Sequence, residues 1–446
     1  MSKHVNIKRG LDIKLDGVAE KVTSESSSNV FALKPTDFQG VTPKLVLKEG
    51  AKVEAGTPVF FDKDKPEVQF CSPVSGEVKE IRRGEKRRIL EILISSDNAS
   101  TFKKFSPKSG SREEVIASLC ESGMWPFIKQ RPFDVMANPG DKPKSIFVTG
   151  FNTEPLTADF DYALYGQDAD FQKGLDVLAK LTDGGVHLNI HKERTASNMF
   201  KSAKGVTTNT FSGPHPSGNV GIQINNISPI NKGETVWTLN ALGVTTIGKF
   251  FNSGKYDVSR LVAVAGGKVT KPKYVKTVAG AQISSITSGN IDNDNARVIS
   301  GGVLTGTKVG EEGFLGFYDS TVTVIKEGNF YEMFGWLIPG TDKFSMSRTF
   351  LSFLMPGKSY DLNTNLHGEH RSFVMTNQYE QVFPMDIYPV QLIKACLAYD
   401  LERMEALGIY EVAPEDFALC EFVCTSKTEV QDIIRTTLDK AIIDLG

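Results

Sequence analysis

The chain opens on an alternation. Leu11, Ile13 and Leu15 are separated by charged residues, which predicts a strand. From residue 29 to 97, short apolar runs broken by Gly and Pro predict short strands. Val46-Leu47 precedes Gly50, Val59-Phe60 follows Gly56-Thr57-Pro58, and Val68-Gln69-Phe70 precedes Ser72-Pro73. A hairpin from Val78 to Ile94 then carries a basic tip at Arg82, Arg83, Lys86, Arg87 and Arg88. Beyond residue 100 the period changes. Ser111 and Glu114 are spaced for a reciprocal N-cap, Val115, Ile116 and Leu119 form an apolar stripe, and Gly123 ends the helix. Strands are expected at Ser145 to Gly150, at Val186, Leu188 and Ile190, and at Val220, Ile222 and Ile224, with a helix through Phe171, Leu175 and Leu178. Such alternation predicts an α/β domain with a mainly parallel sheet. Arg260 to Ala265, Tyr274 to Val278, Ala296 to Ser300 and Thr321 to Ile325 read as strands of a small β-rich domain. Residues 331 to 388 form a long irregular segment. One helix is expected from Pro389 to Leu407, and a second capping box, Ser426 to Glu429, opens another through Val430, Ile433, Leu438 and Ile442. The division is therefore 1–99, 100–255, 256–330 and 331–446.

Composition narrows the function. The 446 residues carry a formal charge of −2. The chain thus lacks the basic surplus of a nucleic-acid binder. Five scattered cysteines show no disulfide framework and suit a reducing cytoplasm. The opening residues do not read as a signal peptide, and no run approaches the roughly 18 apolar residues of a membrane span.

Several local motifs carry possible chemistry. The order of Gly50, Gly56, Pro73 and Gly76 resembles the biotinyl/lipoyl carrier fold, with Asp62-Lys63-Asp64 at the turn where carriers bear a modified lysine. Lys63 is either a lipoyl arm or an ordinary exposed lysine; no Ala/Pro-rich tether follows it. Gly243 to Phe250 nearly matches a P-loop, but Phe250 stands where a Mg²⁺-binding hydroxyl is required, so a glycine-punctuated turn into a helix is expected. Cys420 and Cys424 are too few for a zinc or iron–sulfur site and suit a helical core. His367-Gly368-Glu369-His370 and Asp292-Asn293-Asp294-Asn295 read as turns, so no metal site is assigned. Gly205 to Asn231 and Thr235 to Gly248 contain no charged side chain, which suits a covered segment or the lining of a neutral-ligand site. Trp125-Pro126-Phe127-Ile128-Lys129-Gln130-Arg131-Pro132-Phe133 interleaves aromatics and cations that could stack a flat ring and donate to carbonyls.

The order carrier-like module, α/β domain, small β domain and C-terminal helices resembles RnfC-type proteins and the NADH-binding flavoprotein subunit of respiratory complex I. Within that group it is most similar to the NqrA family of Na⁺-translocating NADH:quinone oxidoreductases. The stretches that carry the resemblance are Ile7 to Asp12, Gly213 to Gly218, Asn365 to Gly368, Val382 to Pro389 and Ala418 to Cys424. The resemblance implies a biotinyl/lipoyl-like barrel-sandwich module, a Rossmann-like α/β domain, an SLBB-like β-grasp domain and a C-terminal helical bundle. Met124-Trp125-Pro126-Phe127 stands where complex I-type flavoproteins have a glycine-rich flavin loop, and only Cys420 and Cys424 stand where those relatives hold clusters.

The resemblance also implies a peripheral subunit on the cytoplasmic side of the bacterial inner membrane, reaching the membrane only through partners, NqrB above all. Its complex would reduce ubiquinone to ubiquinol coupled to Na⁺ export, with NADH, flavins and Fe-S cluster in partner subunits and no tightly bound cofactor here. The isolated chain is not expected to be catalytic. Quinone contact is expected at Trp125, Phe127, Arg131, Phe133 and His215, the aromatics stacking and Arg131 or His215 donating to a carbonyl. A docking scaffold using residues 205–248 as its interface, and a carrier acting through Lys63, are the alternatives.

Overall fold

The computed structural model describes residues 2–445 apart from Glu311, Trp336, Ile338 and Pro339. Two small sheets form the first module. One runs in the order Val30–Leu33, Ile89–Ser96, Gly76–Arg83, Lys52–Val53, and the other in the order Pro43–Leu45, Pro58–Asp62, Gln69–Cys71. Phe60 and Phe70 stack at 4.4 Å between ring centroids inside this sandwich. Lys63 is exposed on the turn after Pro58–Asp62. That turn is tied down by Asp62, which is buried and accepts from the amides of Thr42 and Asp64 at 3.2 Å each.

The α/β sheet has the order His4–Asn6, Thr207–Ser212, Val186–His191, Ile146–Thr149, Val236–Asn240, Lys129–Arg131, Val135–Met136. The first five strands are parallel, and the last two turn antiparallel. The N-terminus therefore belongs to later domains: His4–Asn6 edges this sheet, and Glu20–Glu25 edges the β-grasp sheet against Lys273–Val278. The alternating Leu11, Ile13 and Leu15 form no regular strand; Ile13 and Leu15 are buried against the helical domain's core.

The helix Arg112–Ser122 starts with the expected capping box, Ser111 Oγ accepting from Glu114 N and Glu114 Oε2 from Ser111 N, and stops at Gly123 with φ +76°. Helices Asp168–Leu178 and Ala241–Ser253 pack on each other through glycines. A Cβ on Gly174 would sit 2.1 Å from Val244 O, and one on Gly248 1.7 Å from Asp170 O. The P-loop-like Gly243 and Gly248 thus lie inside a helix, not in a turn before it, and Gly248 serves this backbone contact.

Val220–Ile227 is a helix, not the expected strand. One of its faces packs on the sheet beside Phe147 and Val236, the other on the helical domain through Ile222. With both faces covered, Gly221 and Gln223 are buried as well, so the apolar alternation carried no strand meaning.

The third domain is a six-stranded sheet in the order Thr307–Val309, Ala296–Ser300, Thr321–Lys326, Ser259–Ala265, Lys273–Val278, Glu20–Glu25, with one short helix, Ile283–Thr287, in its core. The C-terminal domain is helical. The single helix expected from Pro389 to Leu407 is two, Pro389–Ala398 and Leu401–Ala406. Tyr399 adopts φ +51° and ends the first, and Asp400 caps the second through Arg403 N at 3.2 Å. The Ser426 box does not form. Its hydroxyl donates to Ser372 O at 2.9 Å, and the last helix begins at Val430. Cys420 and Cys424 are buried in this domain's core, and all five cysteines are free.

Candidate functional site

In open α/β sheets ligands sit beyond the carboxyl ends of the parallel strands. Here those ends are Thr149, His191, Ser212 and Asn240, and the chain itself covers them. Gln223 Nε2 donates to Thr149 Oγ1 (3.1 Å) and to the carbonyls of Ser217 (3.3 Å) and Gly218 (3.2 Å). Asn209 and Asn189 extend this amide chain across the sheet at 3.0 and 2.9 Å. At the amino end of Ala241–Ser253, Asn240 Oδ1 accepts from Gly243 N (2.8 Å), and the Phe127 ring lies 3.5 Å from where a Gly243 Cβ would be. The helix terminus that could cradle a phosphate is thus capped by a side chain and covered by a ring, so its residues do not fit a flavin phosphate.

The five expected contact residues divide into separate environments. Trp125 is fully buried, its indole N–H donating to Ala137 O (2.8 Å) and its ring edge-on to Trp237 (5.3 Å). Phe127 packs on Phe317 of the β-grasp domain at 4.7 Å. Tyr318 OH donates to Pro126 O (2.7 Å) and clamps the same turn. Phe133 packs edge-on to Tyr410 at 6.2 Å, in the helical domain's core. None of these rings is open for stacking, and the expectation of an aromatic platform is corrected accordingly. The reason is that Trp125 fills the α/β domain's own core, while Phe127 and Phe133 close contacts between domains.

Arg131 is also fully buried. Its Nη1 donates to Asp416 Oδ2 (3.0 Å) and Glu411 O (3.3 Å), and its Nη2 to Glu415 Oε1 (2.9 Å). Asp416 Oδ2 accepts in addition from Ala413 N (2.9 Å). Burial opposes the guanidinium charge, but Asp416, Asp134 and Glu415 outweigh it and hold Arg131 above its ordinary pKa. Burial raises Asp416 and Glu415, with Arg131 pulling the other way, whereas Lys129, Arg131 and Arg435 overcome burial at Asp134 and hold it low. From the last helix Arg435 Nη2 donates to Phe133 O (2.9 Å), gripping the turn that follows Arg131. The short strand Lys129–Arg131 and the helical domain are thereby locked by charge. Arg131 is committed to this lock rather than to a bound carbonyl.

His215 sits on the loop Gly213 to Asn219 and is almost completely buried. Its amide donates to Asp12 Oδ1 (2.9 Å), and its carbonyl accepts from Leu11 N (2.9 Å). The stretches Ile7 to Asp12 and Gly213 to Gly218, far apart in sequence, are one structural unit. Gly218 N donates to Thr153 Oγ1 (3.0 Å), which leaves the Thr153 hydroxyl proton for His215 Nδ1 (3.0 Å). On that assignment Nε2 carries the ring proton, and Nε2 is buried without a protein acceptor. Burial first, and Arg194 second, push the His215 pKa down to about 4, so the ring is neutral at pH 7. The result is one uncharged N–H donor in a dry setting.

The charge-poor tract is interior. Helix Val220–Ile227 is covered by this chain's own C-terminal domain, with Asn219 Nδ2 donating to Glu415 O (3.1 Å) and Asn225 Nδ2 to Glu411 Oε2 (2.9 Å). Its expected role as a surface for another subunit is corrected on that ground. A shallow cleft of about 510 Å³ lies outside helix Arg112–Ser122, between Ile116, Cys120, Pro139 and Glu67. None of the five expected residues lines it. His367 and His370 are exposed, and no group of three or more metal-ligating side chains occurs among the described residues. Sequence reasoning missed Asp416, Glu415 and Thr153. No local motif marks them, because their partners are remote in the chain.

Three family models match: an NqrA N-terminal barrel-sandwich hybrid domain over residues 5–97, an NqrA second alpha/beta domain over 110–256, and an NQRA C-terminal domain over 261–311. The chain is 37% identical over 443 residues to the A-subunit of the Na(+)-translocating NADH-quinone reductase of Photorhabdus laumondii, covering 98% of this chain and 99% of that one. It is 38% identical over 446 residues to the protein of the same name from Serratia proteamaculans, with the same coverage. Against that of Neisseria meningitidis serogroup B it is 36% identical over 442 residues, covering 98% of each. The chain therefore belongs to the NqrA family of Na⁺-translocating NADH-quinone reductase subunits.

Proposed function

We propose that the chain is the peripheral, quinone-side subunit of a complex that reduces ubiquinone to ubiquinol and couples this to Na⁺ export. It stands on the cytoplasmic face of the inner membrane, docked on NqrB. NADH oxidation, flavins and Fe-S cluster belong to partner subunits, and this chain contributes binding, not electron transfer. The observation that carries the reading is the end-to-end similarity to the NqrA proteins of this reductase. No helix among the described residues is long and apolar enough to cross a membrane, which fits a peripheral place. The capped and ring-covered end of Ala241–Ser253 fits a chain that holds no flavin.

Of the five expected contact residues, His215 is the one that keeps a neutral ring donor unused by the protein, and a quinone would reach its buried Nε2 only on opening of the loop Gly213 to Asn219. A neutral Nε2–H with no internal acceptor can donate to the carbonyl oxygen and hold it more firmly as negative charge builds there. Arg131 acts by positioning: through Asp416 and Glu415 it fixes the domain that covers helix Val220–Ile227. Saturation-transfer NMR on the purified chain with a short-tailed, water-soluble quinone tests this. Transfer to ring protons that a second quinone displaces, and that His215→Ala removes without lowering the melting temperature, is the expected result. Undiminished transfer in His215→Ala rejects the residue, and no transfer to the wild-type chain favours the docking-scaffold reading.

A further inference from the structure

Residues 328–366 leave the β-grasp sheet and cross the surface with only one short helical turn, Leu351–Leu354, among the described residues. Irregular as it is, the segment is knitted together. Gly328 N donates to Thr364 Oγ1 (2.8 Å), Asn365 Nδ2 to Phe330 O (2.7 Å), Lys343 Nζ to Gly335 O (2.7 Å) and Lys358 Nζ to Thr341 O (2.8 Å). Phe344 packs edge-on to Tyr360 at 5.6 Å, and Tyr360 exchanges backbone bonds with Lys14 and Asp16. These ties hold distant parts of the segment close together.

The segment is rich in exposed apolar side chains. Among the described residues, nine of the twenty exposed large hydrophobic side chains fall between Tyr331 and Leu366. Met333 is 69% exposed, Leu337 63% and Leu354 65%. At roughly 150–250 Å² per large side chain, the exposed parts come to on the order of 900 Å². A standard protein–protein interface needs about 800 Å² per partner.

Charge indicates what covers it. The segment holds three acidic residues (Glu332, Asp342, Asp361) and three basic ones (Lys343, Arg348, Lys358). Lys343 pairs with Glu332, and Lys358 with Asp342. A surface built for anionic lipid carries a cationic surplus beside its apolar side chains. This segment carries equal numbers of the two signs, pairs two of its three cations with its own acids, and so has no cationic surplus.

We propose that the described residues of 331–366 form the surface by which this chain docks onto an uncharged, apolar surface of another subunit of its reductase. This rests on the docking part of the function proposed above and is independent of the quinone contact. The whole complex, expressed with an affinity tag on another subunit, tests it. Leu354→Glu and Met333→Glu should each lower recovery of this chain with the tagged subunit by about tenfold or more. Tyr165→Glu, at an exposed position outside the segment, should leave recovery unchanged, and the melting temperatures of the purified variants should match wild type. Full recovery of both segment variants beside a recovered wild-type chain overturns the surface while leaving the subunit reading intact. Failure to recover the wild-type chain overturns the subunit reading itself.

A photo-crosslinking side chain placed at Phe353 covers the case of a variant that misfolds. An adduct with another subunit supports the proposal, and adducts with lipid or with a second copy of the chain alone overturn it. Flotation of the purified chain with phosphatidylcholine vesicles, abolished by Leu354→Glu, would likewise reassign the face to lipid.

Discussion

Among the described residues two arginines are buried, and they fasten different things. Arg260, in the strand Ser259–Ala265, is held by carbonyls alone. Its Nη1 donates to Phe317 O (2.7 Å) and Asp319 O (3.2 Å), while Nε and Nη2 have no protein partner. Burial therefore dominates and pushes its pKa down to about 10, with Asp319 and Tyr256 opposing. Arg131 meets carboxylates from residues 284 and 285 positions away and rises instead. The first is a clip within one domain, the second a lock between two. A guanidinium surrounded by neutral dipoles can be exchanged for an apolar chain at modest expense. One that neutralises buried carboxylates cannot, because those charges stay behind.

Breaking the lock has the largest expected effect. Arg131→Met should lower unfolding stability by about 3–5 kcal/mol, since Asp416 is left buried without a cation. Denaturant titration checks this, and adding Asp416→Leu should recover most of the loss. An Arg131→Met chain as stable as wild type would mean that the ion pairs do not join the domains.

Acid should act next. His215 has a folded-state pKa of about 4 against an ordinary 6.5. Between those values the unfolded chain binds more protons, so stability falls as pH drops from about 6.5 towards 4, by up to about 3 kcal/mol. Melting curves across that range should be flatter in His215→Gln; parallel curves would remove the imidazole from the account.

Arg260→Met should be milder than Arg131→Met, a loss of about 1–2 kcal/mol from two carbonyls left unpaired. Equal losses at the two arginines, measured in the same denaturant series, would erase the distinction between clip and lock.

Smallest is Glu327, which Arg297, Lys308 and Thr364 hold down to about 2 against an ordinary 4.5. Its stabilisation is present above pH 4.5 and is lost as pH falls towards 2. Because its partners are part-exposed, Glu327→Gln should lower stability by only about 1 kcal/mol at pH 7. The difference between mutant and wild type should vanish near pH 2; a constant gap at all pH values would assign the effect to packing.

What the sequence showed follows the range of the interaction. The Ser111–Glu114 cap, the Gly123 stop and the strands from Arg260 to Ile325 are set by neighbours a few residues away, and they form where the pattern put them. Helix Val220–Ile227 was misread because burial on both faces removes the periodicity that distinguishes helix from strand. The break at Tyr399 was invisible, since no Gly or Pro marks it. At the site, Arg131 looked like a loop cation free to meet a ligand, because nothing near it in sequence announces Asp416 or Glu415. Trp125 and Phe127 read from the sequence as loop aromatics open to a flat ring, but their surroundings come from Trp237 and Phe317, more than a hundred residues on. His215 was legible as a position and not as an environment, because its buried, acceptor-free Nε2 depends on Thr153 and Gly218.

The paths of His4–Asn6 and Glu20–Glu25 have a consequence for how the chain is made. The first strand pairs with Thr210 to Ser212, and the second with Lys273 to Lys276. A ribosome must therefore have released residue 212 before the first of these strands can find its place, and residue 276 before the second can. Until then two sheet edges stand open, and the closing contacts span large sequence separations, which makes the last step of folding slow. An extension fused ahead of His4 would have to follow that edge strand into place during this late step, whereas one placed after the final helix would not.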